Sequence, residues 1–344
     1  KASDVLLNGG KSDTYAIVPD YYNGIVPKVV AKVGEKVKAG SVLMIDKNRP
    51  EIKFVSPVSG EVTAVNRGEK RKVLSIVVKP DAQIEYEDFG KKNVASLKGE
   101  EVKDAILNAG LWPYIKQRPY DIVASPADAP RDIFVSAFYS APLAPNFDFI
   151  VKGQEADFQT GLDALAKLTA GKVYVGVRKG SSVSVKGVET VEVEGPHPAA
   201  NVGVQINHIK PVNKGEVVWT VNPADVIVIG RLFNKGIADF SRLVVLTGSE
   251  TTERGYIKAI SGCTIDSLVA GKILKGNEDV RIISGNVLTG TKVMKDDYLG
   301  AYDNQITVIP EGDETYDFFG WATPGFGKYS VSHSFPTWLM GKNK

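Results

Sequence analysis

The sequence predicts a multidomain α/β protein: a small β sandwich, then a parallel, doubly wound α/β sheet, then a smaller mixed unit. Three observations carry this. Two Gly-Glu-Lys turns, VGEKVKAG and VNRGEKRK, sit in matching β-branched surroundings in the first hundred residues. Strand-like apolar runs alternate with helix-like periodic stretches from about residue 98 to 240. Between them lies AILNAGLWPYIKQRPYDIVASP (Ala105 to Pro126), where a nucleotide-binding chain of this class would carry its phosphate loop.

Composition bounds the function classes. A chain of 344 residues suits two or three domains, and 43% hydrophobic with 24% charged residues is ordinary for a globular protein. A net charge of +2 makes no case for a polyanion, so no nucleic-acid partner is expected. The single cysteine, Cys263, excludes a disulfide framework and any four-cysteine iron–sulfur cluster. No apolar run reaches the roughly 18 residues of a membrane span. The chain begins at Lys1 without methionine or a signal-like segment, as a trimmed piece of a longer protein would.

Residues 1–97 are expected to form the first domain. VGEKVKAGSVLM, SPVSGEVTAVNRGEKRK and VLSIVV read as strands joined by tight turns, in two halves that pair as interleaved hairpins. IDKNRPEIKF (Ile45 to Phe54) is a long tip carrying Lys47, Arg49 and Lys53 beside Phe54. Three readings of the tip stay open: a lysine for covalent modification, a solvated loop, or a docking surface. The NRGEKRK run is either a solvated hairpin or a patch for anionic headgroups or an acidic partner.

Residues 98–240 are expected to form the second domain. Val102, Ala105, Ile106 and Ala109 repeat at helical spacing, and Gly110 ends that helix. DIFVSAF, KVYVGV, ETVEVEG and VVWTV read as strands, and APLAPNFDFIVKGQ as a proline-rich loop. Residues 155–172 place Phe158, Leu162, Leu165 and Leu168 on one helical face, with Gly171 as terminator. Asn222-Pro223 starts a second helix that runs to Gly236. A phosphate cradle needs several glycines so that successive N–H groups close on the phosphate. The segment offers Gly110 alone, followed by Leu111, Trp112 and Pro113, and it is expected to be a nucleotide loop that no longer binds. His197, His208 and His333 are far apart and lack ligand spacing, so they are read as structural and no metal is expected.

Residues 241–300 read as a small β-grasp unit: a strand at RLVVLTG, a strand, turn and short helix over Arg254 to Ile273, and a closing strand at RIISGNVLTG. Cys263 at the start of that helix is either a reactive thiol or a packed small hydrophobe. Residues 301–344 add a strand (YDNQITVIPEG) and an aromatic, glycine-rich extension around FFGWATPGFGKYSVS.

These motifs carry a resemblance. The paired N-terminal halves are similar to lipoyl and biotinyl carrier domains, the barrel-sandwich hybrid fold. AGLWP keeps the A-G-aromatic-P frame of the flavin- and NADH-binding loop in the flavoprotein of complex I and the C-type protein of the Rnf complex, but loses its glycines. AGLW, RPYD, GPHPA, RIISGNVLTG and FGW together resemble the A-type subunits of the Na+-translocating NADH:quinone reductases (Na+-NQR) over essentially the whole chain. The resemblance implies a barrel-sandwich hybrid domain, a Rossmann-like domain with a degraded nucleotide loop, an SLBB-like β-grasp domain, and a helical C-terminal domain beyond Lys344.

It further implies a peripheral subunit on the cytoplasmic side of a bacterial inner membrane, at the quinone-reducing end of a complex coupling NADH oxidation to Na+ export. Partners would be the other subunits, above all the membrane subunit beside the quinone site. NAD and flavins would belong to the wider complex, and this chain would hold no flavin, iron–sulfur cluster or metal. Ubiquinone or menaquinone would be the substrate. The quinone-binding candidates are Lys47, Arg49 and Phe54 from the long tip, with Arg131, Phe134 and Phe138 from the first buried strand. Aromatics would stack on the ring and cations would meet its oxygens. Two alternatives stay open: a scaffold role with the quinone held elsewhere, and a biotin or lipoyl carrier.

Overall fold

The computed structural model describes residues 1–274, 279–313, 319–320, 322–328, 330, 333 and 335–341. They fall into two compact units, Lys1–Ile309 and Pro310–Lys344. The larger opens with eight strands: β1 (Leu6–Leu7), β2 (Tyr15–Ile17), β3 (Pro27–Val29), β4 (Lys36–Val37), β5 (Val42–Asp46), β6 (Lys53–Val55), β7 (Gly60–Arg67) and β8 (Val73–Pro80). One sheet has the order β2-β8-β7-β4 and the other β3-β5-β6. Leu43, Met44, Ile52, Phe54, Val62, Ile76 and Val78 are buried, the period-2 side of these strands facing inward. NRGEKRK is the tip between β7 and β8, where Lys70 and Arg71 take positive φ.

The second domain runs α1 (Gly99–Asn108), β9 (Ile115–Arg118), β10 (Ile122–Val123), β11 (Ile133–Ser136), α2 (Phe147–Val151), α3 (Glu155–Ala166), β12 (Val173–Arg178), β13 (Glu189–Val193), α4 (Val202–Ile209), β14 (Val218–Val221) and α5 (Pro223–Lys235). Its sheet has the order β10-β9-β14-β11-β12-β13. β14, β11, β12 and β13 are parallel, and β9 runs antiparallel at the β14 side. Ile133 and Val135 face the main core with α3 and α5, while Phe134 faces α4 through Ile206, so helices cover both faces. α5 starts and stops as expected: Asn222 accepts from the Ala224 N–H, and Gly236 caps the end at φ 75°. Two helices were not expected. α2 lies inside the proline-rich segment, capped by the Asn146 side chain, and α4 follows the GPHPA motif. α3 stops at Ala166, short of Gly171.

The third domain holds β15 (Ser241–Thr247), β16 (Gly255–Ile260), α6 (Asp266–Val269), β17 (Val280–Ser284), β18 (Thr291–Val293) and β19 (Gln305–Pro310). Its sheet has the order β1-β16-β15-β19-β17-β18. It therefore recruits strands from outside 241–300: β1 pairs parallel with β16, and β19 pairs parallel with β15 in the middle of the sheet. The boundary expected at residue 300 falls ahead of that central strand. Cys263 precedes α6 rather than starting it, and burial pushes its thiol up to about 11, which removes thiolate character at neutral pH. In the smaller unit, His333 stacks on Trp338 at 4.7 Å and Pro336–Met340 form a 3-10 turn. Phe318 and Trp321 of the FGW frame lie outside the described residues.

Candidate functional site

The second domain's strand order turns back at β11. β12 and β13 lie on one side of it, and the chain then returns to place β14 on the other. Connections leaving β11 and β14 therefore part, opening a crevice at the carboxyl ends of the strands. Its volume is about 650 Å3.

Register decides which side chains face it. Phe134 pairs with Thr220, Thr220 with Lys116, and Val218 with Arg118. Directly paired residues share a face and neighbours along a strand alternate. Phe134, Thr220, Val218, Lys116 and Arg118 thus lie on one face, with Trp219, Gln117 and Ile115 on the other. α4 covers the β11 part of that face, packing Ile206 on Phe134 and Val218. Thr220, Lys116 and Arg118 are left to line the crevice. Its rim is the first turn of α4, the start of α5 at Asn222, and Phe138 and Tyr139 after β11. Tyr302 of the third domain closes the side.

The site is aromatic and cationic at once. Lys116 Nζ sits 4.0 Å from the Tyr302 ring centroid. Lys116 and Arg118 share the Asp121 carboxylate, at 3.6 and 3.3 Å. The Tyr139 hydroxyl donates to Asn222 Oδ1 at 3.0 Å and accepts from Asn304 Nδ2. Tyr302 donates to the Pro113 carbonyl at 2.7 Å. Burial pushes the Tyr114 phenol up to about 12, and the Tyr139 and Tyr302 phenols upward too, so all three stay protonated at neutral pH. Among the lining residues sits no His or Cys, and among the described residues no group of three or more His, Cys, Asp or Glu is placed to hold a metal ion.

The sequence candidates are dispersed around this crevice. Phe138 lines it, 6% exposed, with the Arg178 guanidinium 5.9 Å from its ring centroid. Phe134 is sheet core, stacked on Tyr174 at 4.9 Å. Arg131 stands at the opposite, amino end of β11. It bonds Asp132, Glu216 and the Lys210 and Pro211 carbonyls, tying down the segment before β14. Burial opposes ionisation of Asp132, yet hydrogen bonds from Lys210, the Lys172 N–H and Arg131 outweigh it and hold the carboxyl below its usual range. Lys47 is exposed. Arg49 bonds Asp46 at 2.8 Å, the Gly24 carbonyl at 2.8 Å and the Val123 carbonyl at 3.1 Å. Phe54 is 2% exposed and packs edge-on against Tyr22 at 4.7 Å. It lines a separate cavity of about 30 Å3 where the three domains meet, the room of a water or two and not of a ring.

The loop at Gly110–Pro113 is turned inward. Gly110 sits at φ 68°, and a Cβ there would lie 2.4 Å from Val55 Cγ1. Leu111 and Trp112 are fully buried; the indole donates to the Ala124 carbonyl at 2.8 Å and meets Trp219 edge-on at 5.3 Å. The Gly110 and Leu111 N–H groups bond the Leu107 and Ile106 carbonyls of α1. His197 bonds Ser140 Oγ through Nδ1 at 3.1 Å.

Three family descriptions match successive parts of the chain. The NqrA N-terminal barrel-sandwich hybrid domain matches residues 1–81, the NqrA second alpha/beta domain residues 97–238, and the NQRA C-terminal domain, an SLBB-like unit, residues 243–295. The A-type protein of the Na(+)-translocating NADH-quinone reductase of Neisseria meningitidis serogroup A is 36% identical over 340 residues, 97% of this chain and 75% of that protein. Its namesake from Vibrio vulnificus is 38% identical over 341 residues, 97% and 76%. The chain belongs to this NqrA family. Among solved structures, an NAD+-reducing NiFe hydrogenase chain shares 12% identity at a TM-score of 0.43, over 63% of this chain and 47% of that one, a likeness too low to carry an argument. As the sequence led one to expect, no described helix is long and apolar enough to cross a membrane.

Lys116 and Arg118 were not among the sequence candidates. Their signal was present: two cations two residues apart in IKQR, a strand-like stretch, must share one sheet face.

Proposed function

We propose that this NqrA-family chain is a peripheral component of a Na+-pumping NADH:quinone oxidoreductase on the cytoplasmic side of a bacterial inner membrane. It rests against the membrane subunit beside the quinone site, and its Rossmann-like domain receives the quinone ring. The observation that supports this reading is the crevice: about 650 Å3, with Phe138, Tyr139 and Tyr302 as walls and the Lys116 ammonium side chain among its lining. A quinone needs a flat aromatic slot and donors for its carbonyls, whose developing negative charge on reduction the Lys116 ammonium stabilises. Of the six sequence candidates, Phe138 keeps a place in this site. Arg49, Phe54, Arg131 and Phe134 are spent on packing and loop anchoring, so Phe54→Ala tests folding, costing about 3–5 kcal/mol.

Electrons would arrive from flavins on other subunits, and quinol formation would be coupled to Na+ export there. This chain holds neither flavin nor NADH tightly: the N–H groups of Gly110 and Leu111 are spent on α1 and Trp112 fills the space a phosphate would need. A preparation that keeps stoichiometric flavin through gel filtration would overturn that part.

The test of the quinone reading is photolabelling of the assembled complex with a quinone analogue, in the parent and in Gly203→Phe. Gly203 opens on the crevice, with Arg118 Nη1 at 3.8 Å as the nearest atom a Cβ would meet, so the phenyl ring fills empty space. Labelling of this chain should fall at least about fivefold, the effect of roughly 1 kcal/mol. Undiminished labelling would put the quinone elsewhere and leave this chain with a scaffold role.

A further inference from the structure

We propose that the hairpin tip between β7 and β8, residues 66–74, docks on an anionic lipid surface. The proposal rests on the membrane placement given above and not on the quinone reading, because none of these residues lines the crevice.

The turn carries costly residues for its backbone. The Lys72 N–H bonds the Glu69 carbonyl at 3.0 Å, and both residues between them are left-handed, Lys70 at φ 52° and Arg71 at φ 62°. A hairpin turn with two positive φ angles is of type I′, and its ordinary occupants are Asn-Gly. Lysine and arginine are held there under strain. The other Gly-Glu-Lys turn of this domain shows that the fold does not demand it. There Gly34 takes the positive φ, 87°, and Lys36 is matched by Glu61 at 3.6 Å and Asp81 at 3.7 Å. At the β7–β8 tip, Arg67, Lys70 and Arg71 are exposed, and none has an ion-pair partner among the described residues. Lys72 is matched by Asp20 at 2.6 Å, and Glu69 is the one acid within the run. Three cations thus stand against one carboxylate, on a turn that would be more stable without two of them.

An apolar group accompanies them. Asn66 pairs with Ser75 and Arg67 with Val73, so Leu74 is the extra residue of a bulge. Val73 and Ser75 are buried on either side of it, while Leu74 is 43% exposed. Its side chain lies over Gly68, where a Cβ would stand 3.2 Å from Leu74 Cδ2. An exposed leucine among cations suits the membrane interface: the apolar side chain enters the headgroup layer, and Lys and Arg reach lipid phosphates on their long stems. Shape favours lipid over protein. A stable protein interface needs about 800 Å2 from each partner, more than a two-residue turn presents. Attraction to a charged bilayer needs no such area, because each cation near the surface adds its own share.

The test is sedimentation of the whole chain with vesicles of phosphatidylglycerol and phosphatidylcholine, against phosphatidylcholine alone, at low and high salt. Binding is expected to the anionic vesicles only, falling as salt rises. Lys70→Asn/Arg71→Gly installs the residues the turn prefers, so its Tm should stay level or rise while vesicle partitioning falls about tenfold or more. Loss of fold then cannot account for loss of binding. Lys70→Arg/Arg71→Lys keeps both charges and should bind as the parent does. No binding to anionic vesicles, equal binding to neutral ones, or equal binding by the parent and the charge-removing double variant overturns the proposal. If vesicles do not bind and that variant instead assembles poorly into the complex, the tip meets an acidic protein surface. Vesicle binding needs no other subunit, so its failure is told apart from failure of the membrane placement, which is read by whether the assembled complex sediments with membranes.

Discussion

Arg242 and Asp225 meet behind the crevice where neither reaches water, 2% and 0% exposed at the side chain. One hydrogen bond joins them, Nη2 to Oδ1 at 2.9 Å. Asp225 Oδ2 and Arg242 Nε and Nη1 have no partner among the described residues. Burial raises the Asp225 carboxyl to about 6, with the guanidinium pulling it back. A carboxyl raised in the folded state binds its proton more tightly than in the unfolded chain. This group therefore favours folding below its unfolded value near 4, and that contribution is lost as pH rises from about 4 through about 6. Removing Arg242 leaves a buried charge alone, so Arg242→Met should cost about 3–5 kcal/mol at pH 8. It should cost less at pH 5, where Asp225 takes up a proton. Urea unfolding of parent and variant at both pH values checks the sign; an equal loss at pH 5 and 8 would show that Asp225 is not the group left exposed. Residue-level legibility was uneven for the same physical reason. Aromatic and cationic types could be picked from the sequence. Whether Arg49 or Arg131 had donors to spare depended on carbonyls far away in the chain, at Val123 and Lys210.

Among the elements, α3 and α5 make the tightest crossing. A Cβ at Gly230 would lie 1.7 Å from the Asp157 carbonyl oxygen, and one at Gly161 2.1 Å from the Val226 carbonyl oxygen. The two glycines let the helix backbones touch. Helix propensity alone would favour alanine at Gly230, by about 1 kcal/mol. The clash should reverse that and make Gly230→Ala destabilising by about 3 kcal/mol. A urea midpoint that falls with unchanged slope is the expected result, and a stabilised variant would show that the helices are not in backbone contact. Both helices were legible because their apolar residues are periodic and α5 carries its own punctuation, Asn222-Pro223 and Gly236. α4 was missed. Val202, Ile206 and Ile209 have the right spacing, but Gly203 and Asn207 dilute the pattern and the eight-residue helix lacks a side-chain cap. β1 could not be placed from sequence either, since two residues have no period, and its partner β16 lies about 250 residues on.

At the scale of the whole larger unit, the three domains are interlocked rather than strung together. The Ala16 N–H bonds the Gly262 carbonyl, Tyr21 donates to the Tyr298 carbonyl at 2.9 Å, and Tyr302 donates to Pro113. Gly110 is pressed onto Val55, and Arg49 reaches from the first domain's long tip to the Val123 carbonyl of β10. The family order of domains was readable from motifs, but these cross-links were not, because each joins residues distant in sequence. They make the first domain's stability depend on the second. Arg49→Ala removes the bonds to Val123 and Gly24 and weakens the hold on buried Asp46, a loss of about 2 kcal/mol at roughly 1 kcal/mol per lost bond. Interlocking fixes how that loss should appear. With Trp321 and Trp338 replaced by Phe in both proteins, tryptophan fluorescence reports Trp112 and Trp219 in the second domain, and hydrogen exchange of β7 and β8 reports the first. Both should give one coincident urea transition in the parent, and both should shift together in the variant. If the first-domain amides lose protection at lower urea than the fluorescence change, the domains unfold independently and Arg49 is a local hairpin contact. A coincident shift would mean that the crevice is held by a single cooperative body, in which a contact at the N-terminal tip acts on the site between β9, β14 and α4.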